Sequence, residues 1–211
     1  MPTQPPSFDI ENEYDGPVIG VDEAGRGPLA GPVVAAAVLL DPARLPAGLA
    51  DSKTLSEKKR DAIALDIKDN AHFGVGIANV EEIDEINILQ ATLAAMARAV
   101  DALLADIKTN PVMVLIDGNK APVISLPTRT IVKGDAISLS IAAASIIAKT
   151  TRDAIMIDLA KTHPEYGWAK NKGYGARVHL DAIETHGATQ HHRKTFAPIR
   201  NMLCADSSNS H

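Results

Sequence analysis

The 211-residue sequence predicts a single α/β domain built on a mixed β-sheet. Three observations point there. Two β-like apolar runs, residues 18–24 and 33–40, are separated only by a turn rich in Gly and Pro, which suggests neighbouring antiparallel strands. Ile86, Leu89, Leu93, Met96, Val100 and Leu103 then recur every three or four residues, as along one apolar face of a long helix. Further on, Val112-Met113-Val114-Leu115-Ile116 is apolar without alternation, the pattern of a strand buried on both faces.

The remaining elements follow in order. Residues 1–15 are polar and broken by prolines, and are expected to form a flexible arm. After the second strand, Asp51-Ser52-Lys53 belongs to a loop. Thr54, with Glu57 three residues on, makes a capping-box pattern that opens a helix towards Asp69. Residues 73–80 alternate weakly, as a third strand would. Pro111 starts the apolar strand that ends at Asp117-Gly118, and residues 128–132 read as another strand. Residues 137–161 make a second long helix, in which Ala142, Ala143 and Ala144 allow close packing. Beyond His163 the periodicity fades, leaving one short helix over 179–186 and a Ser- and Asn-rich tail, 204–211, expected to be disordered. There is no internal repeat and no linker, so residues 16–203 are read as one domain that includes a C-terminal helical part.

Composition narrows the class. The 45% hydrophobic content supports a real core, and with only 3% aromatic residues Ala, Val, Ile and Leu must fill it. The single cysteine, Cys204, excludes an internal disulfide and fits a reducing cytoplasm. Pro2, Pro5 and Pro6 make a poor signal peptide, and residues 33–40, the longest apolar stretch, are too few to span a bilayer. A net charge of −5 argues against a general polyanion binder. The charge is uneven, however: residues 163–200 hold Lys170, Lys172, Arg177, Arg193, Lys194 and Arg200 against Glu165, Asp181 and Glu184. Such a segment is either a local phosphate-binding surface or a solvated face.

Four carboxylates stand where a fold has little structural use for them. Asp22 and Glu23 close the first strand, Asp117 closes the buried apolar strand, and Asp135 precedes the alanine-rich helix, whose N-terminus favours its charge. Any one alone reads as a cap or loop residue. Together, with no cysteine or histidine at ligand spacing nearby, they suggest a hard-oxygen site for Mg²⁺ or Mn²⁺. Two such ions roughly 3.5–4 Å apart suit phosphodiester hydrolysis. Adjacent strand residues point to opposite faces, so Asp22 and Glu23 can share a site only where the strand ends or twists. Gly25-Arg26-Gly27 follows at once. Its glycines permit close backbone approach to an anion, and Arg26 can grip a phosphate, although without a Gly-Lys-Ser/Thr ending it is no nucleotide P-loop. Tyr174, in Lys172-Gly173-Tyr174-Gly175, is either a packing residue or a platform for a sugar or base.

These motifs resemble those of the bacterial type 2 ribonuclease H family, ribonuclease HII. The resemblance rests on Gly20-Val21-Asp22-Glu23-Ala24-Gly25-Arg26-Gly27-Pro28, Asp51-Ser52-Lys53, Leu115-Ile116-Asp117-Gly118 and Val132-Lys133-Gly134-Asp135. It continues with residues 140–149, Arg152-Asp153, Lys172-Gly173-Tyr174, Gly187-Ala188-Thr189 and His191-His192-Arg193, and covers roughly residues 17–203 in family order. It implies a ribonuclease H-like fold, a mixed five-stranded sheet flanked by helices with a C-terminal helical extension. It also implies that Asp22, Glu23, Asp117 and Asp135 are catalytic and metal-binding, with Mn²⁺ or Mg²⁺ as cofactor. By the same resemblance, Gly25, Arg26, Gly27 and Tyr174 would read an RNA–DNA junction through the 2′-hydroxyl, the adjoining phosphate and the next deoxyribose.

Ser145, Lys149 and Asp153 share one face of the second long helix at i, i+4 and i+8. Ser145 and Lys149 are assigned to substrate binding, as is Lys53, and Asp153 to support of Lys149; a surface ion pair between Lys149 and Asp153 is the plain alternative. His191 and His192 read as fold or phosphate contacts rather than metal ligands. The implied substrates are RNA–DNA hybrids and duplex DNA containing ribonucleotides, cut by a monomer with no membrane role, and a sliding-clamp contact stays open. Resolvase- or integrase-like nucleases share an acidic cluster without the glycine-arginine loop and tyrosine. A hybrid-binding module with vestigial acids would show no metal-dependent turnover.

Overall fold

The computed structural model describes residues 5–49 and 55–208. Five strands, β1 (Val18–Ala24), β2 (Val33–Leu39), β3 (His72–Ala78), β4 (Met113–Asp117) and β5 (Thr128–Ile131), form one sheet in the order β3-β2-β1-β4-β5. The β1–β2 and β2–β3 pairs are antiparallel, and β1–β4 and β4–β5 are parallel. The mixed five-stranded sheet expected from the sequence is therefore present, with β1 at its centre and β4 in its interior.

Strand β2 is buried along its whole length because both faces are covered, and strand alternation divides its side chains between two cores. Val33, Ala35, Ala37 and Leu39 meet helix α2 (Val80–Asp106), while Ala36 and Val38 meet α1 (Glu57–Asn70) and α3 (Leu139–Thr162). By length and composition α2 could cross a membrane, yet Ala91, Ala95, Met96, Ala99, Val100 and Leu103 are buried on the sheet. Its run is broken at Asn87, whose positive φ of 66° marks a kink and whose Oδ1 accepts from the Leu89 and Gln90 amides. The central strand lies close against α3. A Cβ on Gly20 would stand 2.1 Å from the Ser140 carbonyl carbon, so only glycine fits there.

A third core lies beyond the sheet, where Met156 and Ala160 of α3 meet Leu29, Ala30, Tyr166, Trp168, Ile183 and Ile199. It joins α4 (Trp168–Asn171), α5 (Arg177–His186) and α6 (Ala197–Ser208) to the loop after β1. These short helices carry little periodicity, and α4 and α6 were not expected.

Three expectations are corrected. The described part of the arm, residues 5–15, is docked: Glu11 is buried, and its Oε1 accepts from the Ser138 hydroxyl at 2.6 Å and the Ser140 amide at 2.9 Å. A carboxylate at this helix start satisfies donors that the helix itself leaves open. The tail expected to be disordered from residue 204 is helical to Ser208. Helix α1 is capped by Ser56, which accepts from the Lys59 amide; Thr54 and the loop Asp51-Ser52-Lys53 lie outside the described residues.

Candidate active site

Parallel pairing brings the first acids together. The β1–β4 register runs from Val18 opposite Met113 to Val21 opposite Ile116, so Asp22 and Asp117 follow side by side at the C-terminal ends of neighbouring strands. Sites in α/β sheets form at such ends. Glu23 reaches the same cleft because β1 finishes here: its amide donates to Asp22 Oδ1 at 2.7 Å, and the chain then turns at Gly25, where φ is +99°. A cleft of about 260 Å³ is lined by Asp22, Glu23, Gly25, Arg26, Gly27, Asp117, Ser145, Lys149 and Tyr174. Eight of the expected site residues besides Asp22 thus meet in one place.

The other expected positions are near but different. Asp135 is buried in the turn Gly134–Ala136 ahead of α3 and does not line the cleft; its neighbour Gly134 donates its amide to Asp117 Oδ1 at 2.6 Å. Helix α3 begins at Leu139 with Ser138 as its cap, so Asp135 stands before the helix, as the sequence suggested. Asp153 pairs with Lys149 at 2.7 Å, the i,i+4 ion pair weighed from the sequence, and Lys149 still lines the cleft. Lys53 lies outside the described residues. Arg60 of α1 was not foreseen; it lines the cleft and donates to the Leu55 carbonyl at 3.4 Å. Its position in the amphipathic pattern of α1 offered no signal.

The acids repel one another. Burial, followed by the charges of Glu23 and Asp117, holds the Asp22 carboxyl well above the ordinary carboxylate range, although the Glu23 amide and the Ser145 hydroxyl pull it down. Burial also raises Glu23, against the lowering influence of Arg26 at 3.4 Å, and Asp117 adds to the rise. A divalent cation would relieve this repulsion, and oxygen donors of this kind suit Mg²⁺ or Mn²⁺. Among the described residues no three His, Cys, Asp or Glu side chains form a ready-made metal cage. A Mg²⁺-type ion is commonly held by one or two carboxylates and completed by water and substrate phosphate.

Tyr174 stands half exposed across the cleft, its ring 3.6 Å from where a Cβ on Gly27 would lie. The Leu29 amide donates to the Gly173 carbonyl at 2.8 Å, so the tyrosine segment packs directly on the glycine-arginine loop. Behind it His192, fully buried, hydrogen-bonds His179 at 3.0 Å, and His191 packs edge-on to His163 and Trp168. Both are fold contacts. A larger cavity, about 570 Å³, lies away from this cleft between the arm and the start of β3 and contains none of its carboxylates.

Comparison with known proteins gives the family and the fold. The family model for Ribonuclease HII matches residues 19–199. The Ribonuclease HII of Rhizorhabdus wittichii is 57% identical over 194 residues, covering 92% of this chain and 94% of that protein. The RNase HII solved in a PCNA:RNase HII complex from Archaeoglobus fulgidus is similar with a TM-score of 0.70 and 26% identity, covering 86% of this chain and 95% of that one. Bst-RNase HIII, solved in complex with Mn²⁺, shares the fold at a TM-score of 0.76 and 23% identity, over 97% of this chain and 75% of that one. A family match across almost the whole domain, with more than half of aligned positions identical to a curated relative, establishes that the chain belongs to the ribonuclease HII family and is a ribonuclease H-type hydrolase.

Proposed function

We propose that this ribonuclease cuts the RNA strand of RNA–DNA hybrids and also nicks duplex DNA on the 5′ side of an embedded ribonucleotide. The observation that carries the proposal is the meeting of Asp22, Glu23 and Asp117 with Gly25-Arg26-Gly27 and Tyr174 in one cleft. The acids alone would suit many nucleases. The loop and the half-exposed ring beside them suit a junction where a 2′-hydroxyl is followed by a deoxyribose.

Asp22, Glu23 and Asp117, with Asp135 close behind, would hold one or two Mg²⁺ or Mn²⁺ ions, which when bound stabilise charge on the phosphate and provide a nucleophile at neutral pH. The chain's own residues prepare that site. Ser145 and the Glu23 amide orient Asp22, and the Gly134 amide orients Asp117. Water attacks the phosphorus and the P–O3′ bond breaks, leaving a 3′-hydroxyl upstream and a 5′-phosphate on the ribonucleotide. Lys149, steered by Asp153, faces the substrate backbone. We take the enzyme to act as a monomer in a reducing cytoplasm, consistent with its single, exposed Cys204. A sliding-clamp contact is proposed by analogy with the Archaeoglobus complex.

The test compares a hybrid, a DNA duplex holding one ribonucleotide and the matched all-DNA duplex, each with Mg²⁺ and Mn²⁺. Cleavage of the first two and not the third is expected. Asp117→Asn should lower turnover by about a thousandfold or more while leaving hybrid binding within a few-fold. Near-normal turnover in that variant sinks the mechanism, and equal cutting of the all-DNA duplex sinks the specificity.

A further inference from the structure

Two arginines that the catalytic scheme does not use are almost completely buried: Arg152 on α3 is 1% exposed, and Arg193, between α5 and α6, is 0% exposed. Among the described residues neither has a carboxylate within ion-pair distance. Instead their donors go to main-chain carbonyls. Arg193 donates from Nε to Gly31 at 3.0 Å, from Nη1 to Arg26 at 2.9 Å, and from Nη2 to Gly25 at 2.6 Å and Gly31 at 2.8 Å. Arg152 donates from Nε to Pro32 at 3.0 Å, from Nη1 to Lys172 at 2.9 Å and from Nη2 to Ala30 at 3.0 Å. Burying a guanidinium without a carboxylate partner is costly, so a fold that retains two of them against one loop is spending stability on something.

The peptide plane shows on what. In a trans peptide the C=O and the following N–H point in opposite directions. Drawing the Gly25 and Arg26 carbonyls inward therefore turns the Arg26 and Gly27 amides outward, towards the cleft that these residues line. The turn is tight: a Cβ on Gly25 would lie 2.0 Å from Arg152 Nε. The two guanidinium charges lie on the carbonyl side of this loop, opposite the face its amides present to the cleft, and add positive potential behind them. Through Lys172, two residues before Tyr174, Arg152 ties the tyrosine segment to the same loop.

We infer that Arg193 and Arg152 are positioning residues for ribonucleotide recognition, locking the amides of Gly25-Arg26-Gly27 and the ring of Tyr174 into one unit. This rests on the proposed reading of the cleft. The planar five-donor fork is what matters, so lysine cannot substitute although it keeps the charge.

The experiment measures kcat/KM for the single-ribonucleotide duplex and for the hybrid in wild type, Arg193→Lys and Arg193→Gln, with circular dichroism as a check of fold. Activity on both substrates should fall, but the ratio of the first to the second should drop by at least about tenfold in both variants, since small misplacements of binding groups cost large factors. A ratio unchanged within about twofold, or its full rescue by lysine, overturns the inference while leaving the proposed function intact. A wild-type enzyme that does not nick the single-ribonucleotide duplex overturns both. Should the arginine variants not fold, amide hydrogen exchange in the Asp117→Asn protein decides. The Arg26 and Gly27 amides should be protected by the single-ribonucleotide duplex and not by the matched DNA duplex; equal exchange with the two overturns the inference.

Discussion

Acid should weaken this protein through one buried histidine. His192 Nδ1 accepts from the Thr189 amide at 2.9 Å, so the ring carries its proton on Nε2 and donates to His179 Nε2 at 3.0 Å. That atom also accepts from Trp168 Nε1 at 3.1 Å, so His179 carries its proton on Nδ1 and donates to the Tyr174 carbonyl at 2.9 Å. Both rings are neutral, and every ring nitrogen is used. A second proton on His192 would have to sit on Nδ1, facing the Thr189 N–H. Burial, then the neighbouring His179, lowers the His192 pKa from 6.5 to about 4. In the unfolded chain the group titrates near its ordinary value, so between the two values the unfolded state binds the extra proton. Stability is then complete above the unfolded pKa and is lost as pH falls towards the folded one. A gap of about 2.5 pH units at 1.36 kcal/mol each amounts to about 3 kcal/mol. Urea unfolding at several values between about pH 7 and pH 4 measures this directly. The wild type should lose about 3 kcal/mol more than His192→Gln across that window. Parallel curves for the two proteins would refute the neutral-pair reasoning.

Two further substitutions probe the frame around the site. Gly20→Ala places a Cβ 2.1 Å from the Ser140 carbonyl carbon and 2.4 Å from the Ile141 nitrogen, both backbone atoms of α3 that cannot step aside. It should cost about 3 kcal/mol or more, seen as a large fall in Tm or soluble yield, and a Tm equal to wild type would show that β1 and α3 are not in contact. Glu11→Ala leaves the Ser138 hydroxyl and the Ser140 amide without their buried acceptor, at about 2–3 kcal/mol, or several degrees of Tm for a chain of this size. Glu11→Gln, which keeps an acceptor oxygen, should lose less. Unchanged melting of both would return the N-terminal segment to the flexible arm expected from the sequence.

The order of strands and helices was legible because each long element buries a continuous face. Alternating or all-apolar runs marked β1, β2 and β4, and the stripe from Ile86 to Leu103 marked α2. The kink at Asn87 was not legible, since an asparagine within an apolar stripe reads as an exposed helical position until its positive φ is seen. Glu11 was misread for a related reason. A lone acid in a proline-broken segment looks solvated, and only the open donors at the start of α3 give it a reason to be buried. The short helices after His163 are held by Tyr166 stacked on Trp168 and by the third core, which local periodicity does not record.

In the sequence the acids together suggested a cation site, because several carboxylates closing apolar strands are hard to explain otherwise, and the resemblance carried by the adjoining glycines and tyrosine implied a particular substrate class. Tertiary structure decided how they meet. Parallel pairing of β1 with β4 sets Asp22 beside Asp117, and the end of β1 with the turn at Gly25 brings Glu23 into the same cleft despite strand alternation. It also decided the part played by Arg152 and Arg193. In the sequence they are two basic residues 41 positions apart. Their donors find partners only once the chain folds back, because main-chain carbonyls, unlike charged side chains, leave no mark in the sequence.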